Sequence, residues 1–204
     1  MVNSPLDISG VILAGGEGRR MGGLDKGLQI YQGRPLIEHA IHRLSPQVST
    51  LVISANRHQE RYGTYGYPVV SDDSLTESPP HAGPLAGLLA AMQVCTTSWL
   101  VSVPCDTPHL PLHLVTRLYE AQQQQGVDLV IAASQDAELQ THVQPVFCLM
   151  KTHLRSALAH FIQQGGRKVM DWVTRHPHAQ VVFRWEEAPR AFLNINTLEQ
   201  LQTT

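Results

Sequence analysis

The segment Val11–Lys26, VILAGGEGRRMGGLDK, sets five glycines, two adjacent arginines, an aspartate and a lysine in and just after an apolar run. Glycines that follow a strand let backbone N–H groups approach an anion without Cβ hindrance, and a following helix or turn adds a positive dipole end. Arg19, Arg20 and Lys26 add cations suited to a polyphosphate or a departing pyrophosphate. The spacing excludes two common nucleotide loops. Met21 stands where G-x-G-x-x-G needs its third glycine, and Lys26 is followed by Gly27 instead of the Ser or Thr of a P-loop. A solvated connection with incidental charge is the alternative reading of any single glycine-rich loop.

Asp106 follows a second apolar run and is bracketed by Pro104 and Pro108, which predicts a carboxylate at the carboxyl edge of a sheet, where open α/β folds bind ligands. Magnesium takes one or two carboxylates together with phosphate oxygens and water, so a single aspartate suffices; a helix cap or turn is the alternative. Asp72 and Asp73 end another apolar run and also read as a solvated turn, while Gly83–Gly87 reads as close approach to a ligand at Gly83 and tight packing at Gly87. Arg167 and Lys168, after two glycines, form a second basic site or a solvated charge pair, and Asn194 and Asn196 alternate onto one face of an extended segment. The histidines show no zinc spacing, and Cys95, Cys105 and Cys148 form no C-x-x-C pair. Cys105 reads as a small buried residue and not as a nucleophile.

Positioning such residues requires strands that end at one edge. Short apolar runs alternate with helix-period segments, the pattern of crossover units around a largely parallel sheet. Strands are predicted at residues 8–13, 50–54, 68–71, 99–103, 129–133, 146–150 and 180–183. Helices are predicted from Pro35 to Leu44, from Pro84 to Cys95, from Pro111 to Gln125, from Leu154 to the Gly165-Gly166 stop, over 169–174 and as a terminal turn over 198–201. The stretch DDSLTESPPHAG fits neither period and reads as a surface loop.

A chain of 204 residues with 43% hydrophobic composition supports one core and one domain spanning 1–204. The net charge of -2 argues against a broad nucleic-acid face, so phosphate binding should be local. With no basic leader region, no apolar run of membrane length and an odd number of widely spaced cysteines, the expectation is a soluble cytoplasmic protein.

The ordered runs LAGG, RMGG and DK, then GPLAG, PCDTP, QPVF, GGRKV and FLNINT, resemble the signature of the molybdenum cofactor guanylyltransferases, the MobA family of Rossmann-like nucleotidyltransferases. The resemblance covers nearly the whole chain and implies a three-layer α/β fold with a mostly parallel sheet. It implies transfer of GMP from GTP to Mo-molybdopterin, with Mg²⁺ as cofactor and pyrophosphate as leaving group. Asp106 is then the magnesium ligand and, with Lys26 and Arg20, catalytic. The nucleotide-binding set is Leu13, Ala14, Gly15, Gly16, Lys26, Ser54, Asp73, Gly83 and Asp106, and the pterin-facing set is Arg167, Lys168, Asn194 and Asn196. Close relatives carry asparagine at the position of Ser54, which keeps one donor and one acceptor but is shorter; Asn56 is the neighbouring alternative. Leu198 stands where relatives often have proline. Cofactor-synthesis proteins and molybdoenzyme apoproteins or chaperones are the implied partners of a monomer. A cytidylyltransferase, which typically carries alanine in place of Gly15, and a non-catalytic cofactor carrier are the rival readings; sugar-nucleotide pyrophosphorylases are more distant.

Overall fold

The structure, a computed structural model, describes residues 7–16, 23–72, 83–186 and 189–202. Strands β1 (Ile8–Leu13), β4 (Thr50–Ser54), β5 (Val69–Val70), β6 (Trp99–Pro104), β7 (Leu129–Gln135), β8 (Thr141–Lys151) and β9 (His178–Phe183) form a seven-stranded sheet in the order β5-β4-β1-β6-β8-β7-β9. All neighbours pair in parallel except β8, which runs antiparallel to both β6 and β7. Two-residue strands β2 (Ile30–Tyr31) and β3 (Arg34–Pro35) make a separate hairpin.

Strand alternation divides the core into two layers, because successive side chains leave opposite faces of a sheet. Ile8, Ile12, Val101, Val103 and Val130 face helices α1 (Leu36–Leu44) and α4 (Leu114–Gln125). Val11, Leu100, Leu129, Ile131 and Met150 face α3 (Pro84–Val94), α5 (Arg155–Gln163) and α6 (Val169–Val173). Short helix α2 (Gln59–Gly63) adds Tyr62 to the first layer, and α7 (Leu198–Gln202) contributes Leu201 to a small cluster around Tyr31, Leu36 and Ile195. The result is the expected three-layer Rossmann-like arrangement.

Several bounds differ from the sequence reading. Helix α4 begins at Leu114 and not at Pro111, because residues 111–113 form a turn and Gln47 Oε1 accepts from the Val115 N–H at 3.0 Å as a distant cap. Strand β8 starts at Thr141 because its register against β7 shifts between Ile131 and Ala132, which accommodates Pro145; Ser102 Oγ donates to the Val146 carbonyl there at 2.5 Å. Among the described residues, no helix is long and apolar enough to cross a membrane.

Strand β1 has β4 on one side and β6 on the other, and the chain leaves β1 toward β4 but returns through α3 to β6. The carboxyl ends of β1 and β6 therefore open at a topological switch point, where ligands of α/β sheets bind.

Candidate active site at the β1–β6 edge

Two backbone bonds hold the strand ends level: the Ala14 N–H donates to the Ser54 carbonyl at 2.8 Å and the Cys105 N–H to the Leu13 carbonyl at 3.1 Å. From this edge the chain returns at Asp25, which is only 6% exposed and caps the tight turn Lys26–Leu28. Its Oδ1 accepts from the Gly27 N–H at 3.2 Å and from the Tyr62 hydroxyl at 2.5 Å. Gln29 Nε2 donates to the Asp25 carbonyl at 2.8 Å. A Cβ on Gly27 would collide with the Tyr62 hydroxyl, so glycine is required by packing. Burial first, then Cys105 and Asp25, pushes the Tyr62 phenol far up, which keeps it a donor.

That turn aims Lys26 across the crevice. Its Nζ lies 3.0 Å from Asp106 Oδ2 and donates to Asn196 Oδ1 at 2.6 Å, linking the glycine-rich loop, the end of β6 and the C-terminal segment. The pair is partly shielded, with Lys26 22% and Asp106 13% exposed. The C-terminal segment is docked by its backbone, the Ile195 N–H donating to the Asp106 carbonyl at 2.8 Å, and by Thr107 Oγ1 donating to Asn194 Oδ1 at 2.7 Å. Gln200 Oε1 accepts from the Asn196 and Thr197 N–H groups and caps the segment.

Asp106 Oδ1 is buried and accepts no hydrogen bond among the described residues. A buried carboxylate oxygen in that state is unusual, since buried polar atoms normally find partners. It fits a hard divalent cation that completes its shell with phosphate oxygens and water. Among the described residues no group of three His, Cys, Asp or Glu side chains is placed to hold a metal. The adjacent Cys105 thiol is pushed well up by burial, then by Asp106 and Asp25, and stays protonated.

On the other flank of β1, Gly15 and Gly16 are exposed at the edge, with Asn56 beside Gly15. Arg57 donates from Nη2 to the Gly16 carbonyl at 3.0 Å and from Nη1 to the Gly23 carbonyl at 2.9 Å, bridging the two ends of the glycine-rich loop. Gly83 precedes α3 at φ 63°, a conformation that favours glycine. Gly87 packs: its Cβ would come within 2.6 Å of Ser54 Oγ and 3.0 Å of Leu13 Cδ2. Ser54 is accordingly 2% exposed, with its hydroxyl under α3. Arg20 and Asp73 lie outside the described residues.

The four residues expected to face the pterin divide. Asn194 and Asn196 belong to the Lys26–Asp106 cluster, whereas Arg167 Nη1 donates to the Ile162 and Gly166 carbonyls and caps the end of α5, with exposed Lys168 opening α6. Helix α5 follows the end of antiparallel β8 and packs on the α3 face of the sheet. Sequence reasoning did not find Tyr62 or Arg57. Arg57 had one signal, its place three residues past the end of β4; Tyr62 had none, because its role depends on a contact across 37 residues.

A family model described as a MobA-like NTP transferase domain matches residues 10–180. The chain is 46% identical over 197 residues to a protein of Cupriavidus pinatubonensis named molybdenum cofactor guanylyltransferase, covering 97% of this chain and 96% of that one. It is 45% identical to the protein of the same name from Ralstonia nicotianae, covering 96% and 95%. Among solved structures, the Archaeoglobus fulgidus molybdopterin-guanine dinucleotide biosynthesis protein A superposes with a TM-score of 0.71 at 24% identity and 95% coverage of each chain. Bifunctional IspDF of Campylobacter jejuni superposes with a TM-score of 0.72 at 15% identity, covering 98% of this chain and 55% of that one, a likeness of fold. The chain belongs to the MobA-like NTP transferase family, alongside the molybdenum cofactor guanylyltransferases, and is a nucleotidyltransferase.

Proposed function

We propose that this chain, acting as one domain and as a monomer in the cytoplasm, transfers GMP from GTP to the terminal phosphate of Mo-molybdopterin. A phosphate oxygen of the pterin attacks the α-phosphorus of GTP, the α–β bridging P–O bond breaks, and pyrophosphate leaves with its electron pair. The products are the guanine dinucleotide cofactor and pyrophosphate. The observation that carries this reading is the convergence of Lys26, Asp106 and Asn196 at the switch point, with one Asp106 oxygen unpartnered among the described residues.

Such a transfer needs positioning and charge stabilisation more than covalent help from the protein. Lys26 exchanges Asp106 for a phosphate oxygen and holds charge that develops on the leaving group, while Arg20 and the N–H groups of Gly15 and Gly16, just past the strand end formed by Leu13 and Ala14, take the polyphosphate. Asp106 Oδ1 would hold Mg²⁺, which when bound supplies Lewis-acid neutralisation of the phosphate oxygens. Asn196 keeps Lys26 oriented, and Gly83 and Asp73 line the nucleoside side. Asn194, Arg167 and Lys168 address the pterin.

Incubation with GTP, CTP, Mg²⁺ and Mo-molybdopterin, followed by pyrophosphate quantitation and identification of the attached base, tests the assignment. Guanine incorporation is expected; cytosine incorporation would make the chain a cytidylyltransferase, and binding of both substrates without pyrophosphate release would make it a carrier. Cofactor-synthesis proteins or recipient apoenzymes are the partners that fit a product handed onward.

A further inference from the structure

Two hydrogen bonds converge on Asn56 Oδ1, one from Ser71 Oγ at 3.2 Å and one from the Asp72 N–H at 3.1 Å. A backbone N–H can only donate, so it fixes which end of the amide is oxygen. The other end carries two N–H groups. Nδ2 is not buried without a partner, and it donates to no atom among the described residues. It stands beside exposed Gly15, where a Cβ would lie across the amide face, 3.7 Å from Nδ2 and 3.8 Å from Cγ. Asn56 is thus an oriented donor with unused capacity at the ligand edge.

Sheet order indicates which part of a nucleotide meets it. Lys26 and Asp106 meet at the β1–β6 crevice, and β4 lies on the far flank of β1, two strand spacings or about 10 Å from β6. A nucleotide whose phosphates reach Lys26 and whose body crosses Gly15–Gly16 has its base end over Asn56. Ser54 is not available for that contact, because its hydroxyl is buried beneath Gly87.

We infer that Asn56, through its fixed amide N–H2, reads the acceptor edge of the base and selects a 6-oxo purine, with Gly15 leaving the amide uncovered. Guanine presents O6 and N7 as acceptors, whereas adenine presents a donor at N6 that would face another N–H. This rests on the nucleotidyl-transfer reading above.

The test measures pyrophosphate release and direct nucleotide binding with GTP, ITP and ATP for the wild type, Asn56→Asp, Gly15→Ala and the double variant. Asn56→Asp keeps the oxygen that Ser71 and Asp72 require and replaces the N–H2 with oxygen. Its kcat/KM should fall at least about tenfold for GTP and ITP, which share O6 and N7, while ATP is unchanged or improved. Gly15→Ala should weaken GTP and ITP alone but add little when combined with Asn56→Asp, the non-additivity of a shared contact. An equal loss for all three nucleotides would reflect only the added charge and would overturn base reading, as would an unchanged GTP-to-ATP ratio. If Asn56→Asp does not fold, Gly15→Ala alone decides by the same ratio. If the wild type releases no pyrophosphate, the proposed function falls. A GTP-over-ATP binding preference lost in Asn56→Asp would still uphold the role of Asn56, and equal binding would end it.

Discussion

The Tyr62 hydroxyl donates to Asp25 Oδ1 at 2.5 Å, so a helix that follows β4 holds the turn that carries Lys26. Tyr62→Phe keeps the buried ring and removes only the donor. It should cost about 1.5–3 kcal/mol of stability, the usual worth of a hydrogen bond to a carboxylate. A positioning role predicts more: kcat falls severalfold with GTP KM little changed, since the altered group is the orientation of Lys26 and not a binding surface. Loss of stability with kcat intact would reduce Tyr62 to packing.

Asp106→Asn preserves shape and removes charge at the carboxylate that faces Lys26. Turnover should fall by at least about 100-fold, the scale of losing one electrostatic stabiliser at a reacting phosphate. The unfolding midpoint should barely move, because the Ile195–Asp106 docking bond is between backbones. Asn196→Ala should reduce kcat less than Asp106→Asn, since Lys26 retains its carboxylate partner. Equal rates for wild type and Asp106→Asn at saturating Mg²⁺ would remove Asp106 from the chemistry.

In an ordinary helix, glycine to alanine stabilises by about 1 kcal/mol. Gly87→Ala should do the reverse in α3, destabilising by about 1–3 kcal/mol because the new methyl meets Ser54 Oγ and Leu13 Cδ2. Adding Ser54→Ala removes the nearer clash and should recover part of the loss. Denaturant unfolding of the single and double variants measures this directly.

His109 shares a hydrogen bond of 2.9 Å with the Tyr31 hydroxyl. Burial, then Arg43, Arg190 and His39, pulls its pKa below the ordinary 6.5. Between the two values the unfolded chain binds the extra proton and the folded chain does not, so stability rises with pH through that window. The contribution is complete above 6.5 and is lost as pH falls through the lowered value. Thermal unfolding between pH 7.5 and 5 should therefore drop more steeply for the wild type than for His109→Gln.

The strands and helices that build the edge were legible because each is mainly apolar and bounded by turn residues; β1, β6 and α3 stand where their patterns predicted. Helix α2 and the β2–β3 hairpin are too short to display a period, and their residues are ordered by tertiary contact. The same distinction holds at the site. Lys26 and Asp106 announced themselves as charges beside glycine and proline at strand ends, and the alternation of Asn194 with Asn196 was visible. The direct bond from Lys26 to Asn196, spanning 170 positions, and the tether between Asn56 and the end of β5 belong to folding topology, which no local spacing encodes.

The Ile195 N–H to Asp106 carbonyl bond joins the two halves of the crevice without using a side chain from either. Architecture and chemistry are thereby uncoupled at this point: the residue at 106 can be exchanged while the strap bearing both asparagines keeps its mooring. A crevice built this way can change the side chain at its reaction centre without casting off the backbone of the wall opposite.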